Sequence, residues 1–162
     1  MNYTGAALLD LHGRCHRSFG ACVDHCRVFS AEEFDRELDG FGYPTLRQQI
    51  HHAIGAECYW ISVVRDAMDA SEDEADAVSI DALEAFRKTV CEATRAYLRD
   101  TTDSDLNAQR MMTTWGGHEK ALTPAHIVLR TQTHLFQHMG QIAAMCRLLG
   151  HPIPPGLDFP LT

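Results

Sequence analysis

The chain has 162 residues, of which 45% are hydrophobic and 22% charged, with 14 Lys and Arg against 22 Asp and Glu for a formal net charge of −8. That length supports one domain spanning residues 1–162 with a self-sufficient core, and the hydrophobic fraction excludes a disordered chain. The acidic balance and the lack of a Lys/Arg stripe argue against nucleic acid as a partner. No apolar run reaches the roughly 18 residues of a membrane span, and no basic segment followed by an apolar core opens the sequence, so a soluble, cytoplasmic protein without a membrane partner is expected.

Taken in chain order, helical periodicity first runs from about Thr4 to Phe29, through Ala7, Leu8, Leu11, Cys15, Phe19, Cys22 and Cys26. Ser30 and Glu33 form a capping pattern for a short turn. After Gly40-Phe41-Gly42-Tyr43-Pro44, Thr45 and Gln48 have the spacing of a second capping box, opening a helix to about Met68. The acidic segment Asp69 to Asp76 reads as a solvated loop. A third long helix fits Ile80 to Asp100, with Leu83, Phe86, Val90, Ala93, Tyr97 and Leu98 as its apolar positions. Thr101 to Asp105 reads as a turn or cap cluster, and Met111 to Gly117 as a short extended piece ending in a turn. The last helix is punctuated by Thr123-Pro124 at its start and by Gly150 and Pro152 at its end. The tail from Pro152 to Pro160 cannot be helical and is expected to lie extended over the helices. The expected fold is all-α, with four long helices packed as a bundle.

Six cysteines (15, 22, 26, 58, 91, 146) lack the spacing of a zinc ribbon and fit reduced thiols; Cys22 and Cys26 read as small buried hydrophobes. The ten histidines are more telling. His134 and His138 are four residues apart, so on a helix both imidazoles project from one face, one turn apart, within reach of one transition metal. His52, in the second helix, is the candidate third ligand. His51 points about 100° away from it, and Glu57, about 140° around the helix, is expected in a structural salt bridge. His12 and His16 have the same four-residue spacing on the first helix, and spacing alone does not separate the two pairs. His25, His118, His126 and His151 read as surface or loop residues, with His118 beside a turn that could approach the pocket mouth. Trp60, Trp115, Met111 and Met112 read as core or pocket lining.

Three segments carry a resemblance: Gly42-Tyr43-Pro44-Thr45-Leu46-Arg47 leading into His52-Ala53-Ile54-Gly55-Ala56-Glu57-Cys58-Tyr59-Trp60; Thr123-Pro124-Ala125 leading into His134-Leu135-Phe136-Gln137-His138-Met139-Gly140-Gln141-Ile142; and Gly150-His151-Pro152-Ile153-Pro154-Pro155-Gly156-Leu157-Asp158-Phe159. In this order and spacing the sequence resembles the DinB/YfiT-like family of metal-dependent enzymes. The resemblance implies a four-helix bundle of up-down-down-up topology, a divalent metal on His52, His134 and His138, and a homodimer. Characterised members include thiol S-transferases that use low-molecular-weight thiols and a mycothiol-dependent maleylpyruvate isomerase. Members commonly carry a further histidine one turn before the last-helix pair. Arg130 stands there in this sequence, on the face of His134, where it can meet an anionic group or serve only as a surface residue.

Three neutral imidazoles suit zinc or nickel, with ferrous iron or copper also accepted, and leave at least one coordination position open. Such an ion lowers the pKa of a bound water, to about 7 for zinc, or takes up a thiol as thiolate, that of a substrate or of a low-molecular-weight cosubstrate. Sequence alone does not choose between hydrolysis and thiol transfer. Gln141, three residues past His138, can orient a ligand or water, although a helix–helix hydrogen bond is the simpler role. The rival reading is a non-catalytic protein that binds metal or a small molecule in a stress response.

Overall fold

The computed structural model describes residues 2–67 and 77–161. The chain is mostly helical, with α1 (Gly5–His25), the short α2 (Ala31–Phe34), α3 (Leu46–Val64), α4 (Ile80–Asp100), the short α5 (Asp103–Asn107) and α6 (Pro124–Leu148). A two-stranded antiparallel hairpin, β1 (Arg110–Thr114) and β2 (His118–Leu122), precedes α6. Its register pairs Arg110 with Leu122 and Thr114 with His118. The expected extended piece is therefore only half of the element. The polar β2, His118-Glu119-Lys120-Ala121-Leu122, lacks the apolar alternation that marks a strand and is set by pairing with β1. Gly116 and Gly117, at φ 68° and 74°, supply the left-handed backbone that turns the hairpin.

Local chemistry accounts for most boundaries. Thr4, Thr45, Ser79 and Thr102 each accept a backbone N–H at a helix start, and Ser30 with Glu33 closes a complete capping box. At Thr45 only half of the expected box forms, since the Gln48 side-chain oxygen is buried without a partner. The first helix gives way to a 3₁₀ turn at Cys26–Val28. The helix expected to reach Met68 ends at Val64, and Met68 and the acidic loop lie outside the described residues. At the end of α6, Gly150 (φ 90°) allows a Schellman closure in which the His151 amide donates to Cys146 O and the Gly150 amide to Arg147 O.

The four long helices pack so that α3 lies along both α6 and α4, while α1 contacts α4 and α6. Phe19, Leu46, Ile50, Leu83, Leu135, Ile142 and Met145 form the centre of the core, joined by the buried Cys22 and Cys26. All six cysteines are free thiols. The tail is strapped across α1, with Ser18 Oγ donating to Asp158 O and Arg14 Nη1 to Pro160 O, while Ile153 and Leu157 pack on the core. Among the described residues no helix is long and apolar enough to cross a membrane.

Candidate metal centre

The packing of α3 against α6 brings His52 from one helix beside His134 and His138 from the other. His134 Nε2 lies 3.1 Å from His138 Nε2 and 3.3 Å from His52 Nε2. Two ligands about 2.0–2.1 Å from a tetrahedral ion are roughly 3.3–3.4 Å apart, so this spacing matches the edge of a coordination polyhedron. His138 is buried, whereas His52 and His134 are half-buried.

A second layer of side chains fixes the ring nitrogens. Gln49, one turn before His52 and fully buried, places its amide oxygen 2.7 Å from His138 Nδ1. Its amide nitrogen donates to Tyr43 O at 3.0 Å and to Gln141 Oε1 at 2.8 Å. With both amide protons directed at oxygen acceptors, Gln49 Oε1 accepts the Nδ1 proton of His138, which leaves the Nε2 lone pair turned toward His134 and His52. The Tyr43 ring stacks on His52 with centroids 4.0 Å apart and planes 19° apart, fixing that imidazole from the outer side.

The electrostatics favour neutral rings. Burial, then the neighbouring histidines, lowers His52 and His138 to about 4. His134 is lowered by burial and by the charge of Arg130. Three unprotonated nitrogens held this close repel one another through their lone pairs, and a shared cation relieves that repulsion. The donor set, its spacing and its protonation thus fit a divalent metal, and the three-histidine group could hold one.

The sequence profile of the DinB family matches residues 15–162, which takes in every element of this site. The chain belongs to the DinB family. A solved structure of a DinB-like protein from Bacillus cereus ATCC 10987 superposes with a TM-score of 0.76 at 19% identity, covering 96% of this chain and 99% of that one. At that identity the likeness concerns the fold. Comparison with curated proteins finds no match.

Around the DinB site, the structure places the remaining sequence candidates unevenly. Gln141 makes a helix–helix hydrogen bond to Gln49, and through it orients His138. Gln49 itself is the site residue that sequence reading missed. Its position one turn before His52 was the available signal, but a glutamine in a helix is too common to stand out. Arg130 is exposed, with its guanidinium 5.6 Å from the Trp60 ring centroid. Trp115 and Met111 are not core residues: they are 64% and 58% exposed on the hairpin, whereas Met112 is buried. The hairpin is pinned to α3 instead, because Trp115 stacks on Tyr59 at 3.9 Å and its amide donates to the Tyr59 hydroxyl. His118 is exposed at the start of β2, and His51 is buried against Phe86.

Glu57 forms the expected salt bridge, and its partners are the other histidine pair. Glu57 Oε1 lies 2.9 Å from His12 Nε2 and Oε2 lies 2.8 Å from His16 Nε2, while Thr94 Oγ1 donates to Oε1 at 2.6 Å. Burial alone would raise the carboxyl, but the two histidines outweigh it and hold Glu57 well below the usual carboxylate range. The two imidazoles, 4.3 Å apart, do not both carry charge beside one carboxylate. Burial lowers His12, with Glu57 only partly offsetting it. Burial also acts to lower His16, but the Glu57 charge and hydrogen bonds to Cys91 and Glu57 raise it to about 9.

Proposed function

We propose that His52, His134 and His138 hold a divalent metal, zinc or nickel, and that this protein uses it as an enzyme of the thiol S-transferase or hydrolase type acting on a small molecule. The observation that carries the reading is the approach of three Nε2 atoms to 3.1 and 3.3 Å, with the opposite nitrogen of His138 held by Gln49. A structural site would be closed by a fourth protein donor, whereas three histidines leave room for a substrate atom. When bound, the ion supplies Lewis acidity that favours the deprotonated form of a thiol or a water.

The protein side chains give this chemistry its setting. Gln49 and Gln141 hold His138 in one tautomer, and Tyr43 fixes the plane of His52. Arg130, one turn before His134, offers a cation to an anionic group of the substrate, as the carboxylates of a low-molecular-weight thiol would provide. A homodimer and the up-down-down-up course of the four long helices belong to the same reading.

The test is metal analysis of the purified protein, followed by assays of bacillithiol, mycothiol and glutathione against electrophiles. One equivalent of divalent metal, lost in His52→Ala, His134→Ala and His138→Ala, is expected, together with turnover that His138→Ala abolishes. Metal content unchanged in all three variants overturns the site. Metal bound without turnover points instead to a non-catalytic metal-binding protein.

A further inference from the structure

The cluster on the other side of α3 has its own donor set. His12 and His16 project from α1 one turn apart, Glu57 comes from α3, and Cys91 and Thr94 come from α4. One nitrogen of each imidazole and the Cys91 sulfur lie within 4.8 Å of one another. This group shares no residue with the His52, His134, His138 site.

The hydrogen bonding leaves one donor of the right kind unused. Both Nε2 atoms are committed to the Glu57 carboxylate, so the remaining nitrogen of each ring is Nδ1. His12 is fully buried, and its Nδ1 has no partner. A buried nitrogen lone pair without a donor loses its hydration with no return, which native interiors generally avoid. The His16 Nδ1 lies 3.4 Å from Arg87 Nη1, and Cys91 Sγ lies within 4.8 Å of a nitrogen of the same ring. A carboxylate behind the Nε2–H of a ligating histidine is a common outer support of metal centres, and here one carboxylate supports two rings.

We propose that His12, His16 and Cys91 form a second divalent-cation site, with Glu57 orienting both imidazoles from behind. A thiolate among imidazoles selects a borderline-soft ion, zinc above all, over magnesium or calcium. On binding, the ion takes a lone pair of Cys91 Sγ and one of each imidazole, and the Cys91 thiol proton, with any proton held on those nitrogens, passes to solvent. Among the described residues Arg87, 3.4 Å from His16 Nδ1, opposes entry, as does the charge of Arg95 on His12, and the Arg87 guanidinium is held by two 2.7 Å bonds to Glu84. Cys91 is half-buried, whereas both imidazoles are buried.

Cobalt(II) tests the proposal, because a thiolate ligand gives an intense sulfur-to-cobalt charge-transfer absorption that a three-histidine site does not. The full chain, stripped with a chelator and reloaded with cobalt(II), is expected to bind about two ions and to show this absorption. Cys91→Ser and Cys91→Ala are each expected to lose the absorption and one equivalent of cobalt. His138→Ala is expected to retain the absorption while losing the other equivalent. No charge-transfer absorption in the unsubstituted protein, or absorption that survives both Cys91 substitutions, overturns the proposal. A single equivalent, lost entirely in His138→Ala, also overturns it and leaves the three-histidine reading standing. If His138→Ala changes neither cobalt content nor absorption, the three-histidine reading fails and this one stands.

Discussion

Gln49 reaches His138 across the α3–α6 contact, its amide oxygen 2.7 Å from Nδ1 and its amide nitrogen directed at Tyr43 O and Gln141 Oε1. The bond assigns the proton on His138 and so determines which nitrogen faces His52 and His134. Replacing Gln49 with leucine, of similar size, removes that control while keeping the contact filled. Metal affinity at the three-histidine site is expected to fall about 10–100-fold, with helix content unchanged. Competition against a chelator of known affinity measures the first, and far-ultraviolet circular dichroism the second. Affinity equal to that of the parent protein would show that the tautomer is held by something else.

The metal-free protein should have a stability profile bounded on both sides. His52 and His138 titrate at about 4 when folded, against about 6.5 in an unfolded chain. Between those values the unfolded chain binds protons that the folded chain does not, so stability falls as pH drops from about 6.5 to about 4. His16 acts in the opposite sense, because its folded value is raised to about 9. Its contribution is full below about 6.5 and is lost as pH rises through 9. Thermal denaturation of chelator-treated protein is expected to show shallower acid loss in His138→Gln and shallower alkaline loss in His16→Gln. The same acid profile in His138→Gln as in the parent would contradict the assignment.

Glu57→Gln keeps the shape of a fully buried side chain but leaves His16 without its counter-charge. Breaking a buried pair from one side costs about 3–5 kcal/mol, because the remaining charge stays desolvated. A loss of that order in the free energy of unfolding by urea is expected. A loss below about 1 kcal/mol would mean that His16 is neutral in the folded protein.

Arg130→Met removes a cation that bears on His134 while preserving contact with Trp60. Because Arg130 is exposed, the effect on metal affinity is expected to be small, a tightening on the order of two-fold or less. On the proposed reading, in which the guanidinium binds a remote anionic group of the substrate, KM is expected to rise with kcat nearly unchanged. An equal fall in kcat would place Arg130 at the reaction itself.

Leu135, between the two last-helix ligands, faces the core and is fully buried. Leu135→Ala is expected to cost about 2–5 kcal/mol of stability, as the cavity cannot fully collapse inside the helix packing. Urea denaturation checks this, and a cost under 1 kcal/mol would show that the core repacks around the gap.

Sequence by itself was enough for the four long helices and for the His134–His138 spacing, because both depend on a local period. About 3.6 residues per turn place Leu135, Met139 and Ile142 on the core side, while a four-residue spacing brings two imidazoles onto one face. The capping residues Thr45 and Ser30, the proline at the first position of α6 and the glycine after its end were legible because their signals are local too. Where the interaction partner is distant in sequence, the local signal fails. The polar β2 is a strand only because β1 supplies its hydrogen bonds, and Trp115 is exposed because the hairpin lifts it onto Tyr59. His12 and His16 have the same spacing as His134 and His138, yet they meet a carboxylate where the other pair meets a third imidazole. That difference lies in which residue of α3 faces each pair, Glu57 on one side and His52 on the other. Residues 41 and 82 positions apart are joined by helix packing, which local periodicity permits and only the tertiary structure decides.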